Sequence, residues 1–313
     1  MAASVKPRAG TFEHRALVYS SADEFLDAVA PFVDAGLRAG DRVLAVSSRE
    51  NVGALAGALG AAEIDGRDAG AWYATPGRTL RAYKDYVDRH NGSGRGVTIV
   101  GEPIWAGRSA AAVREWARYE SLINVAFAGT ATRILCPYDA RVVPEAILEH
   151  AECSHPTLAS GLGSRRSSRF LEPAAFFERL DREPLEAADA TTSALDVTAD
   201  LGRVRRFVRR NVSHAGLQGD RVADLALAVH ELAANALRHG GTPVALRIWT
   251  APTAVVAEIA DSGGGLADRF AGHLEPEPAA AGGRGLWMAR QLCDVVEVRS
   301  TASGTVVRVH MCD

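Results

Sequence analysis

Four short apolar runs, separated by stretches of helical period, occupy the first 150 residues, and this alternation constrains the fold more than any other feature. The runs are HRALVYS (14–20), DRVLAVSS (41–48), GVTIVGEPIW (96–105) and TRILCPYD (132–139). After the first comes ADEFLDAVAPFVDAGLRAG, whose Phe25, Val29, Phe32, Val33 and Leu37 recur at helical spacing. NVGALAGALG begins a small-residue helix, Thr79 to His90 reads as helical, and AAVREWARYESLINVAF supplies a long helix. Strands alternating with helices predict a mainly parallel sheet covered by helices. Trp72 and Tyr73 follow a Gly/Asp-containing loop, and NGSGRG (91–96) is a turn-rich break.

The pattern changes near His155-Pro156. SGLGSRRSSRFLEP (160–173) is rich in Gly, Ser and Arg and has no apolar period, so a connector with a short helix around AAFFERL is expected. The expected organisation is a domain at 1–157, a linker at 158–190 and a second domain at 191–313. Two domains also suit 313 residues, at roughly 100–200 per domain. No internal repeat of the solenoid or propeller kind is visible.

Several function classes drop out. No uninterrupted apolar stretch approaches the ~20 residues of a membrane helix, and MAASVKPRAG lacks the apolar segment of a secretory signal. The expectation is a soluble cytoplasmic protein with no membrane partner. Only two lysines exist, Lys6 and Lys84, and neither stands in a Gly-rich phosphate loop or on an ATP-facing strand. Any ATP must therefore be held by other chemistry. With 35 basic and 38 acidic residues the net charge is −3, which gives no nucleic-acid footprint. Cys136, Cys153, Cys293 and Cys312 form no C-x-x-C pair, and reduced, packed thiols are the expectation.

The chemistry concentrates in RVADLALAVHELAANALRHGG (221–241). Val222, Leu225, Ala226, Val229, Leu232 and Ala236 form one apolar stripe, and Glu231 and Asn235 fall on another face. Their i,i+4 spacing stacks a carboxylate beside a carboxamide. Such a pair can hold Mg²⁺, or the carboxylate can deprotonate a nucleophile while the amide oxygen takes the metal. Alone, the pair reads equally as a solvated face. Downstream, VVAEIADSGGGL (255–266) is an apolar strand running into Asp261, Gly263 and Gly265. GGRGLWMARQLCD (282–294) places Gly283 and Gly285 before a helix, whose N-terminal N–H groups suit phosphate oxygens.

E-x-x-x-N, then D-x-G-x-G, then G-x-G-L resembles the GHKL ATPase family. Here the residues are Glu231–Asn235, Asp261–Gly263–Gly265 and Gly283–Gly285–Leu286, and the likeness covers roughly 195–313. It implies a Bergerat α/β sandwich binding Mg-ATP, with Asp261 on the adenine amino group, Asn235 on the Mg²⁺ and Glu231 as general base. Gly283, Arg284 and Gly285 would face the phosphates, and Thr305 of GTVVRVHM (304–311) would lie beside the adenine. The short lid (about 266–282) and the H-E-L-A-A-N-A-L-R-H-G wording are most similar to anti-sigma-factor serine/threonine kinases. Those regulators of transcription and stress response bind a sigma factor and phosphorylate a serine on a STAS-type antagonist. His239 would either help close the site or cap its helix.

HRALVYS, GEPIWAGR (101–108), YESLINVAF (119–127) and LCPYD (135–139) resemble the MEDS sensory domain, a degenerate relative of RecA-type ATPases. The loop after the first strand, SSADEF, has no Gly-Lys-Ser/Thr, so no ATP is expected there. His14, Glu102, Trp105, Cys136 and Tyr138 are the sensory candidates, at or beside strand ends where open α/β sheets place ligands. Each also has a plain packing role available to it. LGRVRRFVRRNV (201–212) carries Arg203, Arg205, Arg206, Arg209 and Arg210 opposite Leu201, Val204 and Val208. That is a solvated face first and a surface for an acidic protein second, with no nucleic-acid reading element.

Three functions compete. The first is a sensor-controlled serine/threonine protein kinase that is also an anti-sigma factor, alone or as a homodimer. The second is a non-catalytic module that sequesters a sigma factor, for which Glu231 would be superfluous. The third is a sensor histidine kinase, which needs a phosphoacceptor histidine on a dimerising helical hairpin. Only His150 and His155 stand near the connector, and proline follows the latter.

Overall fold

Each of the four apolar runs contains a strand in the computed structural model, which describes residues 11–60, 63–91, 94–160, 163–188, 192–212, 217–277 and 283–312. Lys6, Gly92 and Ser93 of the turn at 91–96, and positions 278–282 of the expected lid lie outside the described residues. The chain divides into two units, with the main boundary between Glu178 and Arg179.

The first unit runs β1 (Glu13–Tyr19), α1 (Ala22–Arg38), β2 (Arg42–Ser47), α2 (Arg49–Leu59), β3 (Ile64–Asp68), α3 (Ala69–Trp72), α4 (Pro76–Asn91), β4 (Val97–Gly101), α5 (Ala110–Ala126), β5 (Thr132–Asp139), α6 (Glu145–Ser154), β6 (Thr157–Ser160) and β7 (Gly163–Arg166). α7 (Pro173–Asp181) follows at the boundary. The strands form one sheet in the order β3-β2-β4-β5-β1-β6-β7, parallel except for the β6–β7 hairpin. α1 starts where the Ser21 side chain accepts the Glu24 N–H. It buries Phe25, Val29, Phe32 and Val33 with Leu17, Val43 and Leu135 of the strands. Helices on a parallel sheet bury its strands from both sides, which is why those strands read as unbroken apolar runs.

Two stretches depart from the sequence expectation. Ile64–Asp68, absent from the expected strands, pairs with β2 as an edge strand, so GVTIV becomes the fourth strand and TRILCPYD the fifth. Its sequence, IDGRD, is half-exposed and shows no apolar run. The expected linker also begins with structure: Thr157–Ser160 pairs in parallel with β1, and Gly163–Arg166 folds back on it. Being short, polar and at the sheet edge, these strands leave a linker-like composition. The helix expected around AAFFERL is α7, which buries Phe176, Phe177 and Leu180.

The second unit contains β8 (Ser193–Asp196), α8 (Leu201–Val212), α9 (Asp220–His239), β9 (Ala245–Ala251), β10 (Ala254–Asp261), α10 (Arg284–Leu292), β11 (Val295–Thr301) and β12 (Gly304–Met311). Its sheet, ordered β11-β12-β10-β9-β8, is antiparallel throughout. Val255, Ala257 and Ile259 of β10 join the core formed with Leu225, Val229 and Leu232 of α9, so the sheet has one helix-covered face. On the opposite face the buried Glu258 accepts from Arg247 Nε at 2.8 Å and from Arg308 Nε at 2.6 Å. α8 buries Val204, Val208 and Val212 and exposes its five arginines. Among the described residues no helix is long and apolar enough to cross a membrane.

Candidate functional site: a cleft in the second unit and two polar clusters in the first

The end of α9, the end of β10, the start of α10 and β12 meet around a concave, mainly apolar cleft. Of the residues proposed from sequence, Asn235, His239, Asp261, Gly265, Gly283, Leu286 and Thr305 line it. Leu232, Ile259 and Val307 give it apolar walls.

Backbone contacts fix its shape. Asp261 ends β10 opposite Thr305, and its Oδ1 accepts the Gly263 N–H at 2.9 Å. A Cβ on Gly263 would stand 2.6 Å from Gly241 N, so the turn after β10 lies directly on the turn after α9. Ser262 secures that contact, its N–H donating to Gly241 O and its hydroxyl to Thr242 O at 2.8 Å. Gly265 has φ +80, in the left-handed region open to glycine, and its neighbour's N–H, on Leu266, donates to Ser300 Oγ at 2.6 Å. Gly283 is the N-cap of α10 at φ +88 and, being glycine, brings no side chain of its own to cap that helix start. One residue further in, a Cβ on Gly285 would fall 2.3 Å from Asn235 Nδ2. A side chain at Gly285 would displace that amide from its present position.

Glu231, Gly263, Arg284 and Gly285 stand outside the lining. Glu231 lies one turn before Asn235 on α9, half-buried, while Gly285 is buried and Arg284 exposed. His239 is exposed in the last turn of α9, where a cation also complements the helix dipole. Gly240 and Gly241 were quoted with the helix but given no role. Their part in the contact with Asp261 and Ser262 emerges only once the two turns are brought together.

The five sensory candidates separate into two groups. Glu102 follows β4 at the carboxyl end of the sheet, with its carboxylate held by three donors. Tyr19 Oη donates at 2.5 Å, Asn51 Nδ2 at 3.1 Å, and Ser47 Oγ also donates. Burial and the neighbouring Glu102 push the Tyr19 hydroxyl above its ordinary pKa. Trp105 and Tyr138 line the same cavity and stack at 6.2 Å, and among the described residues neither Trp105 Nε1 nor Tyr138 Oη has a hydrogen-bond partner. The chain leaves β2 toward β3 but leaves β4 toward β5, so this cavity lies at the switch point where open α/β sheets bind ligands.

His14, the second residue of β1, and Cys136, in the middle of β5, are elsewhere. They converge with Glu120 of α5 and His155, just after α6, and all four are buried. Cys136 Sγ is 3.5 Å from His14 Nε2, and Glu120 Oε2 is 3.8 Å from His14 Nε2 and 3.5 Å from His155 Nε2. Burial holds His155 down at about 4 and, together with the nearby His155, lowers His14. It pushes Glu120 up to about 8 and the Cys136 thiol upward, the latter also under the influence of Glu120. Sequence reasoning missed Glu120 and treated His155 only as a phosphoacceptor. Nothing local marks either, because the group forms only when β1, β5, α5 and the α6 terminus pack.

With these sites in view, comparison with known proteins decides the domain assignment. Residues 13–156 match the MEDS family, the methanogen/methylotroph DcmR sensory domain, and residues 195–311 match the histidine kinase-like ATPase domain. The chain is a MEDS domain followed by a histidine kinase-like ATPase domain. The chain is also similar, at 34% identity over 96 residues, to the signal transduction histidine-protein kinase AfsQ2 of Streptomyces coelicolor. That match covers 31% of this chain and 17% of the kinase. Among solved structures, the RsbU and RsbW domains of a Mycobacterium tuberculosis protein share 22% identity at a TM-score of 0.31, over 40% of this chain and 33% of that one. The histidine kinase domain of a blue-light-activated kinase from Erythrobacter litoralis shares 20% at 0.24, over 40% of this chain and 69% of that one. The histidine kinase AdeS of Acinetobacter baumannii shares 14% at 0.26, over 44% and 72%. Both domains have the fold class expected from sequence, a parallel sheet with helices in the MEDS domain and an α/β arrangement in the ATPase domain, whose sheet is antiparallel.

Proposed function

We propose that the ATPase domain binds Mg-ATP in the cleft and phosphorylates a serine on a STAS-type antagonist protein. In this reading it also binds a sigma factor, in the cytoplasm and under control of the MEDS domain. The convergence of Asn235, Asp261, Gly283 and Thr305 on one apolar-walled cleft carries the reading. A planar base with an exocyclic amine fits between Leu232, Ile259 and Val307, with Asp261 as acceptor, since a carboxylate has capacity beyond the Gly263 N–H. Both lysines precede residue 85, so phosphate charge falls to Arg284 and to the start of α10, where Gly283 brings no side chain. Asn235 offers the oxygen a hard cation prefers. When bound, Mg-ATP supplies the transferable phosphoryl group and a divalent charge beside it.

Glu231 then takes the proton from the incoming serine hydroxyl. Its position outside the cleft lining suits an acceptor delivered by a partner protein, and it is also what favours the second reading, a sequestering module without catalysis. The histidine-kinase reading is weaker. His155 is buried in the MEDS domain, and His150 packs edge-on against Phe176 from the ten-residue α6.

Glu231→Gln separates the first two readings, because it keeps the shape of the side chain and removes its basicity. Transfer from radiolabelled ATP to purified antagonist should fall by on the order of 10²–10⁴, while ATP and sigma-factor affinities stay near wild type. Unchanged transfer would make Glu231 a positioning residue. No transfer by the wild-type chain would favour sequestration.

A further inference from the structure

We propose that His14, Glu120, Cys136 and His155 form a closed site for one divalent transition-metal ion of the zinc class, which ties β1, α5, β5 and the end of α6 together. The four side chains bring two imidazoles, a thiol and a carboxyl to one point, with ligand atoms all within 4.8 Å of one another. A tetrahedral zinc ion with bonds of about 2.0–2.3 Å separates its ligands by about 3.3–3.6 Å. The contacts of 3.5, 3.5 and 3.8 Å fall at or near that edge, and no pair is wider than 4.8 Å.

The imidazoles are oriented as ligands before any ion is considered. Asn124 Nδ2 donates to Ser121 O at 3.1 Å and to Ser154 O at 2.8 Å, which turns Asn124 Oδ1 toward His14 Nδ1 at 3.2 Å. His14 therefore carries its proton on Nδ1. His155 Nδ1 lies 2.8 Å from Ala151 O, which can only accept, so His155 also carries its proton there. Both rings present a bare Nε2 lone pair to the same centre, and a ring N–H held by an oxygen is the usual support behind a metal-bound histidine.

The protein satisfies that centre only in part: the Cys136 thiol is shared between His14 Nε2 and the Glu120 carboxyl. Glu120 Oε2 and His155 Nε2 face each other at 3.5 Å, and among the described residues neither atom has a hydrogen-bond partner. Buried polar groups without partners call for explanation. A proton on Glu120 serves one acceptor at a time, and that side chain faces two imidazole lone pairs and a sulfur. One cation serves all four donors together. Thiolate, imidazole and carboxylate suit zinc or its neighbours rather than Mg²⁺ or Ca²⁺. Relative exposures of 2% for His14, Glu120 and Cys136 and 0% for His155 leave no open coordination position, so the site is structural. Binding sends the Cys136 thiol proton and any Glu120 proton to solvent.

The test uses the full-length chain, purified from zinc-supplemented medium, with bound metal measured by mass spectrometry. Wild type and Cys293→Ser, which changes a buried thiol of the other domain, should each hold one transition-metal ion per chain. Cys136→Ser and His155→Ala should lose it by at least about tenfold, in line with removing a ligand. Should either variant fail to fold, cobalt substitution of the wild type and of Cys293→Ser decides instead. Both should show tetrahedral d–d absorption with a sulfur-to-cobalt charge-transfer band. The proposal is overturned by a folded wild-type chain that takes up neither metal, leaving the proton as occupant. It is overturned equally by metal content that survives both cluster substitutions, or by cobalt bound without the sulfur band.

Discussion

The ATPase cleft and the buried cluster of the MEDS domain are both sites of converging polar groups, built in opposite ways. The cleft draws on four short stretches, in three of which polar groups and glycines sit a few residues apart, so much of its geometry is written into local spacing. In the cluster, His14 and Cys136 are 122 positions apart, and only the parallel pairing of β1 with β5 sets them side by side. A turn or helix start demands particular residues nearby; strand register makes no such demand. The first kind of site is therefore readable in one sequence, and the second is not.

The contrast predicts that cleft residues govern ligand binding with little effect on the fold, and that polar groups buried in the MEDS sheet do the reverse. The largest effect is expected at Asn235. Asn235→Ala removes the side-chain oxygen beside α10 and should weaken Mg-dependent ATP binding by on the order of 10²-fold, about 2.7 kcal/mol, with the thermal midpoint little changed. Calorimetry with and without Mg²⁺ measures it. Equal affinity for both forms would detach Asn235 from the metal.

What the sequence disclosed follows the same division. Continuous apolar runs located the buried strands and a period of 3.6 located the stripe of α9, since burial selects apolar residues at both. Ile64–Asp68 and Gly163–Arg166 escaped because edge strands bury little and carry no such pattern. Asp261, Asn235 and the glycines were legible because each answers a local requirement, while Glu120 was one acid in an otherwise ordinary helix. Gly240 and Gly241 were visible, but their purpose depends on a loop more than 20 residues further along.

An intermediate effect belongs to Glu102→Gln. The amide cannot accept from Tyr19, Ser47 and Asn51 as the carboxylate does, and it sets its own N–H₂ among their donors. Losing charge-assisted bonds in a largely buried place should cost about 1–3 kcal/mol. Denaturant unfolding of the full chain should show the cost, and ATP affinity should not move. A change in ATP affinity without loss of stability would break the proposed division between the two regions.

The smallest effect is expected on α8, where the comparison is sharpest because the helix has both kinds of face. Val204, Val208 and Val212 are buried in the ATPase core, whereas Arg205 and Arg210 are exposed. The double substitution Arg205→Ala, Arg210→Ala removes two charges and no core contact, and alanine is at least as good a helix former as arginine. Stability and ATP affinity should both match wild type. A solvated face predicts equally unchanged affinity for protein partners at every ionic strength. Docking of an acidic protein predicts a slower association with that partner alone, most pronounced at low salt, because exposed charges act mainly through steering. Association rates measured at two salt concentrations distinguish these outcomes. A salt-dependent loss would turn the arginine face of α8 from a solvated surface into the partner-facing side of the ATPase domain.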